Sequence, residues 1–192
     1  MKHLKQPFHA FTTKYSGRVN QIITDLKITI AFDPKVTKED SVPFFATKAL
    51  WDTGATKSVI TKSVAEKMGL VPVGSTNVNH AGGSSVANTY LVNFYLPNNV
   101  GVAGVLVSEC PPFNFGAIIG MDIIAGGDLA ISNFDNQTWI TFRYPSYKGT
   151  DYVLEANKIT FAGVKKYAPC PCGSRDSFGK PISFSNCHGK GL

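Results

Sequence analysis

Cysteine, charge and unbroken apolar stretches are all scarce in this chain, and each shortage closes off a class of protein. Four cysteines in 192 residues, three of them (Cys170, Cys172 and Cys187) within the last 23 positions, are too few and too uneven for a disulfide framework. Only 17% of residues are charged while 43% are hydrophobic, which excludes a disordered or coiled-coil chain and leaves a globular one. The most apolar segment, GAIIGMDIIAGGDLAI over residues 116–131, is broken by Asp122, Asp128 and four glycines, well short of the roughly 20 clean apolar residues of a membrane span. The first twenty residues have positive charge but no apolar h-region and no small-residue cleavage site, so secretion is not expected. A cytoplasmic location follows as the expectation, and there clustered thiols bind metal more often than they cross-link.

Acidic residues are absent from one end and sparse at the other. Residues 1–20 carry four basic and no acidic side chains, and residues 143–192 carry eight against three. Residues 21–142 carry seven basic against ten acidic, so the net charge of +6 belongs to the ends. The middle is no electrostatic nucleic-acid binder, and with no reading motif and little aromatic–basic interleaving, nucleic acid is not an expected partner.

What the middle does have is β-periodicity. QIITDLKITIAF, FFATKALW, YLVNFYL, VAGVLVS, DLAISNF and TWITFRY are alternating or β-branched runs separated by short polar breaks, and they predict a mainly β fold, sandwich or barrel. Two short helices are expected. One lies in TKSVAEKMG, with Thr61 or Ser63 as N-cap and Gly69 as the stop, and the other in MDIIAGG. Asp135-Asn136-Gln137 reads as a hairpin turn.

The densest chemical signal is Ala49-Leu50-Trp51-Asp52-Thr53-Gly54-Ala55. An apolar strand that runs into a carboxylate needs that charge paired, hydrogen-bonded or used, and the following Gly permits a tight turn whose backbone N–H can approach it. Further on, Ile118-Ile119-Gly120-Met121-Asp122 is a second apolar-apolar-Gly sequence, and Val78 to Ser84 is a Gly-bearing stretch between strand-like runs.

In that order, ALWDTGATKSVI, the Gly-bearing stretch and IIGMD resemble the active-site loop, flap hairpin and second glycine motif of retropepsin-like aspartic proteases, across roughly residues 20–143. The resemblance implies a closed acid-protease barrel that hydrolyses peptide bonds in a peptide or protein substrate, with water activated by two aspartates sharing one proton. Only one D-T-G is present, so the second aspartate must come from another copy, and a homodimer is expected with Asp52 on its two-fold axis. By the same resemblance Thr53 bonds across that axis and Gly54 lines the cleft, completing the catalytic triplet Asp52, Thr53 and Gly54. Ala55, Gly82 and Gly83 are the expected substrate-binding positions. His80 falls in the flap and is expected to be non-catalytic, and Asp122 to be structural, bonded to nearby backbone. Two departures stand out. Viral members place an acidic residue and an arginine where this chain has Thr56 and Met121, so their dimer-supporting ion pair is missing as a whole. Ala55 also lacks the hydroxyl that a serine there would offer the catalytic carboxylate, which implies a pH optimum nearer neutrality.

The cysteine-rich tail, Pro169-Cys170-Pro171-Cys172-Gly173-Ser174 and Cys187-His188-Gly189, has three thiols and an imidazole, a recognised set for structural Zn²⁺. It resembles the SEC-C zinc-binding motif at both ends, although 14 residues separate Cys172 from Cys187, more than that pattern has. The resemblance implies Cys170, Cys172, Cys187 and His188 as ligands of a structural, non-catalytic zinc, and a tail that docks a protein partner or, in some members, an acidic lipid surface. The expected organisation is a basic extension over 1–19, a retropepsin-like domain over 20–144, a linker or extra hairpin over 145–166 and the zinc motif over 167–192. The alternative from a different class is a non-proteolytic dimeric scaffold that binds peptides or proteins, with the zinc tail as its interaction module.

Overall fold

The computed structural model describes residues 8–38, 41–80 and 83–190, save the side chains of Asn79, His80 and Ser84. The chain forms two compact units, Met1–Tyr147 and Lys148–Leu192.

The first unit is built on a closed barrel. Strand β2 (Ile23–Ile30) buries Thr24, Leu26 and Ile28 on alternate positions, and β3 (Phe44–Trp51) buries Ala49 and Trp51, so the period-two pattern of each run points one face inward. They pair antiparallel, with Ile28 opposite Phe45. The other edge of β3 pairs in parallel with the short β8 (Ala117–Ile119), Trp51 opposite Ile119. Strand β4 (Val59–Thr61) runs antiparallel to β8 and parallel to β7 (Val100–Cys110). The long β6 (Gly83–Leu96) pairs with β7 and returns to β2, Lys27 opposite Tyr95. That last pairing closes a ring of six strands in the order β2-β3-β8-β4-β7-β6 and leaves none of the six as a free edge. Leu26, Ile28, Ile60, Val92, Phe94, Val107 and Ile119 fill it. Strand β5 (Gly74–His80) extends the sheet as a hairpin with β6, His80 opposite Gly83.

A second sheet has the order β1-β10-β9, from β1 (His9–Lys14), β9 (Asp128–Ser132) and β10 (Trp139–Tyr144). The segment expected as a basic extension over 1–19 therefore contains a paired strand. Charge alone suggested a tail, yet Phe11 from β1 is buried against Trp51 and Phe142, with ring centroids 6.0 and 6.3 Å away. Trp51 and Phe142 meet edge to face at 5.0 Å, and the Trp51 indole N–H donates to Thr24 Oγ1 at 2.9 Å. The residue before Asp52 is thus locked on both sides of its ring.

Both expected helices form. Helix α1 (Lys62–Lys67) is capped by Thr61, whose hydroxyl accepts from the Val64 N–H at 3.4 Å, and Gly69 stops it at φ +62°. Helix α2 (Met121–Ile124) follows Gly120 directly. Asp135 and Asn136, both at positive φ, turn the chain between β9 and β10.

In the second unit, the stretch expected as linker or hairpin holds helix α3 (Tyr152–Thr160). Its β-branched Val153, Ile159 and Thr160 suggest strand, but the Asp151 carboxylate accepts from the Leu154 N–H at 2.9 Å and caps the first turn. Just beyond the helix, Phe161 packs on Phe184 and on the His188 ring, centroids 5.4 and 4.9 Å apart. No helix among the described residues is long and apolar enough to cross a membrane.

Phe142→Ala empties a fully buried site that three aromatic rings share, and should cost about 3–5 kcal/mol, seen as a lower urea midpoint at unchanged slope.

Candidate functional site

Parallel strands end at the same edge of a sheet, so β3 and β8 deliver Asp52 and Gly120 side by side. The Asp52 N–H donates to the Ile119 carbonyl at 3.0 Å, and the Asp52 carbonyl accepts from the Ala55 N–H at 3.2 Å, closing the turn. Within the turn the Gly54 N–H donates to Asp52 Oδ1 at 2.8 Å. The other carboxylate oxygen has no partner among the described residues. Asp52 is half-buried, whereas Thr53 and Gly54 are exposed beside it. The Thr53 hydroxyl likewise makes no hydrogen bond among the described residues.

The loop is held from behind. Met121 N–H donates to the Ala55 carbonyl at 2.8 Å. Gly120 lies so close that a Cβ there would stand 2.6 Å from the Lys57 carbonyl carbon and 2.9 Å from the Ala55 oxygen, so glycine is required by backbone approach. Asp122 bonds to the neighbouring Ile123 N–H at 3.0 Å, as a local structural role requires, and also reaches 64 positions back to Ser58. The Ser58 N–H lies 3.0 Å from both carboxylate oxygens and the Ser58 hydroxyl donates to Oδ1 at 2.7 Å. Ser58 has no motif of its own; it is a hydroxyl six residues after Asp52 within the ALWDTGATKSVI run, singled out only once the fold brings it to Asp122.

A hairpin of β5 and β6 forms where the flap is expected, with Gly83 opposite His80. Gly82 lies outside the described residues, as does the side chain of His80. Ala55 is half-buried next to the Asp52 turn.

In the second unit Cys170, Cys172, Cys187 and His188 converge, their ligand atoms all within 4.8 Å of one another. Cys170 Sγ lies 3.4 Å from Cys172 Sγ and 3.3 Å from His188 Nδ1, while Cys187 Sγ lies 3.6 Å from Cys172 Sγ and 3.4 Å from His188 Nδ1. Bond lengths of about 2.0–2.3 Å to a tetrahedral Zn²⁺ imply edges of about 3.6–3.8 Å, so these four distances sit at or slightly below that range and the donor set fits the ion with small adjustments. All the thiols are free. Burial works to raise the Cys170 thiol, but hydrogen bonds with the backbone of Cys172 and His188 and with the thiols of Cys172 and Cys187 outweigh it and bring it down to about 7. The long spacer between Cys172 and Cys187 is folded aside. Asp176 accepts from the N–H groups of Phe178 and Lys180, both at 2.9 Å, and Arg175 bridges to Pro181, making a turn that leaves the ligand ends together.

Residues 45–125 match the family model described as gag-polyprotein putative aspartyl protease. The matched segment runs from β3 through α2 and is similar to that family. The match spans under half of the chain and takes in the Asp52 loop, the β5–β6 hairpin and IIGMD. Among solved structures, the chain is similar to a retropepsin-like aspartic protease from Rickettsia conorii, at 10% identity and TM-score 0.44 over 73% of this chain and 98% of that one. It is also similar to simian foamy virus (mac) protease, at 18% identity and TM-score 0.35 over 53% and 91% of the two chains. No curated protein sequence matches the chain.

Because three backbone atoms crowd the Gly120 position, Gly120→Ala should destabilise the barrel by about 1–3 kcal/mol. A thermal or urea melt checks this, and wild-type stability would show that the loop yields freely.

Proposed function

We propose that the chain is an aspartic endopeptidase whose working pair is Asp52 from each of two copies. The observation that carries this reading is the half-buried Asp52 carboxylate, one oxygen fixed by the Gly54 N–H and the other unpartnered, at the end of a barrel strand. Two such carboxylates a few ångströms apart share one proton, because both cannot ionise together. The ionised one takes a proton from water as that water attacks the scissile carbonyl carbon, and the protonated one gives its proton to the carbonyl oxygen. A second proton transfer to the leaving nitrogen then breaks the C–N bond. A two-fold axis through the site brings the pair together without any further sequence signal. Thr53, exposed and without a hydrogen bond among the described residues, is free to bond the second copy's loop. Gly54 and Ala55 beside the carboxylate, with Gly82 and Gly83 on the flap, are the proposed substrate contacts, taking an extended peptide.

The tail is proposed to hold a structural zinc through Cys170, Cys172, Cys187 and His188. Four protein ligands leave no open position, so the ion's part is to fold this small unit. The unit then serves as a docking module for a protein partner or substrate, in a soluble cytoplasmic enzyme.

Asp52→Asn should lower cleavage of an unstructured protein by roughly 10²–10⁴-fold, and wild-type activity should fall faster than in proportion as the enzyme is diluted below its dimer constant. Equal cleavage by both proteins, or by neither over pH 4–8, would remove the protease reading and leave the dimeric scaffold. Purified protein should carry one zinc per chain by elemental analysis. Cys172→Ser or a strong chelator should make residues 148–192 sensitive to trypsin while the barrel stays resistant; a metal-free tail of unchanged resistance overturns the zinc assignment.

A further inference from the structure

The loop from Asp52 to Ser58 is tied to residues 119–122 along its whole length, but by different means at its two ends. At the Asp52 end and in the middle the ties are backbone to backbone, Asp52 N–H to Ile119 and Met121 N–H to Ala55. At the Ser58 end every tie runs through two side chains. The Asp122 carboxylate accepts from the Ser58 N–H at 3.0 Å on both oxygens and from the Ser58 hydroxyl at 2.7 Å, and the same hydroxyl accepts from the Gly120 N–H at 3.0 Å. The fully buried Ser58 hydroxyl thus both donates and accepts, and neither role is left to water. No other side chain links the two segments among the described residues: Thr56 and Lys57 are exposed and bond neither to residues 119–122 nor to Met121.

We propose that Ser58 and Asp122 are a positioning pair that fixes the Asp52 loop in its working geometry, resting on the aspartic-protease reading of Asp52. Neither touches the reacting atoms. Their effect on the reaction passes through the angle at which the turn presents the Asp52 carboxylate, where a displacement of about 1 Å costs about 10²-fold in rate. The burial of the two partners is opposite, and this makes the idea testable: Ser58 is inside, but Asp122 is on the surface, so altering Asp122 changes the bonds without emptying the core.

The test uses the full-length protein. Asp122→Ala should lower kcat roughly ten- to hundredfold with KM within about twofold, and Asp122→Asn, which keeps one acceptor oxygen for the Ser58 hydroxyl, should recover part of that loss. Ser58→Ala combined with Asp122→Ala should be no worse than the poorer single variant, because the two act as one unit. Amide hydrogen exchange, which needs no activity, should speed up at Ser58 and Gly120 and stay unchanged in β2 and β6. Wild-type exchange at those amides in Asp122→Ala, or additive losses in the double variant, overturns the proposal. So does faster exchange throughout the barrel with KM and melting temperature moving together, since that marks a general structural role. If wild type and Asp52→Asn prove equally inactive, the protease reading fails by itself, and the exchange result still decides whether the pair holds the loop.

Discussion

The parallel pairing of β3 with β8, Trp51 opposite Ile119, delivers Asp52 and Gly120 to one edge of the barrel, and the proposed chemistry depends on it. Antiparallel neighbours would have sent the two chain ends to opposite edges. Parallel strands so short, three residues in β8, contribute little by themselves. They are held by what surrounds them: β2 on the far side of β3, β4 on the far side of β8, and the Phe11–Trp51–Phe142 rings packed against the end of β3. Closure through β2 and β6 then makes the arrangement cooperative, because no strand of the ring can leave without exposing two neighbours.

Much of this was legible because it is local. FFATKALW is a strand in full, from Phe44 to Trp51, since alternation and β-branching are properties of consecutive residues. The Asp52 turn and the Thr61-capped helix were legible for the same reason. What could not be read was set by distant partners. Strand β1 has one buried aromatic, Phe11, among basic and polar neighbours, and its strand state exists only because β10 pairs with it. Helix α3 was misread from β-branched residues, although Asp151 three positions before Leu154 was a visible cap signal. Ser58 lies within the ALWDTGATKSVI run but drew no role there, since a lone hydroxyl acquires its role only from a carboxylate 64 positions away.

The second unit obeys a different logic. It buries little, Phe184 and Cys170 among its few inaccessible residues, and a core that small cannot hold a fold alone. Convergence of three sulfurs and an imidazole is therefore the principal organising feature, and the rest adapts to it. Phe161 after α3 covers the His188 ring, and the extra residues between Cys172 and Cys187 leave the cluster as a separate turn around Asp176. Spacing that departs from a motif is harmless where the added residues can satisfy their own backbone groups, as Asp176 does for Phe178 and Lys180.

The missing ion pair changes what a dimer would have to do. Where loop order depends on contacts between copies, association must meet the entropy of ordering the loop as well as that of bringing two chains together. Here the loop is already closed within one chain, by Asp52 to Ile119 and Ala55 to Met121 through the backbone and by Ser58 to Asp122 through side chains. A second copy would meet a turn that is set before it arrives, with the Thr53 hydroxyl and one Asp52 carboxylate oxygen still without a partner among the described residues. In the proposed dimer, such a site would tolerate weaker association without losing the geometry of its carboxylates, because each half of the pair would be shaped before the two met.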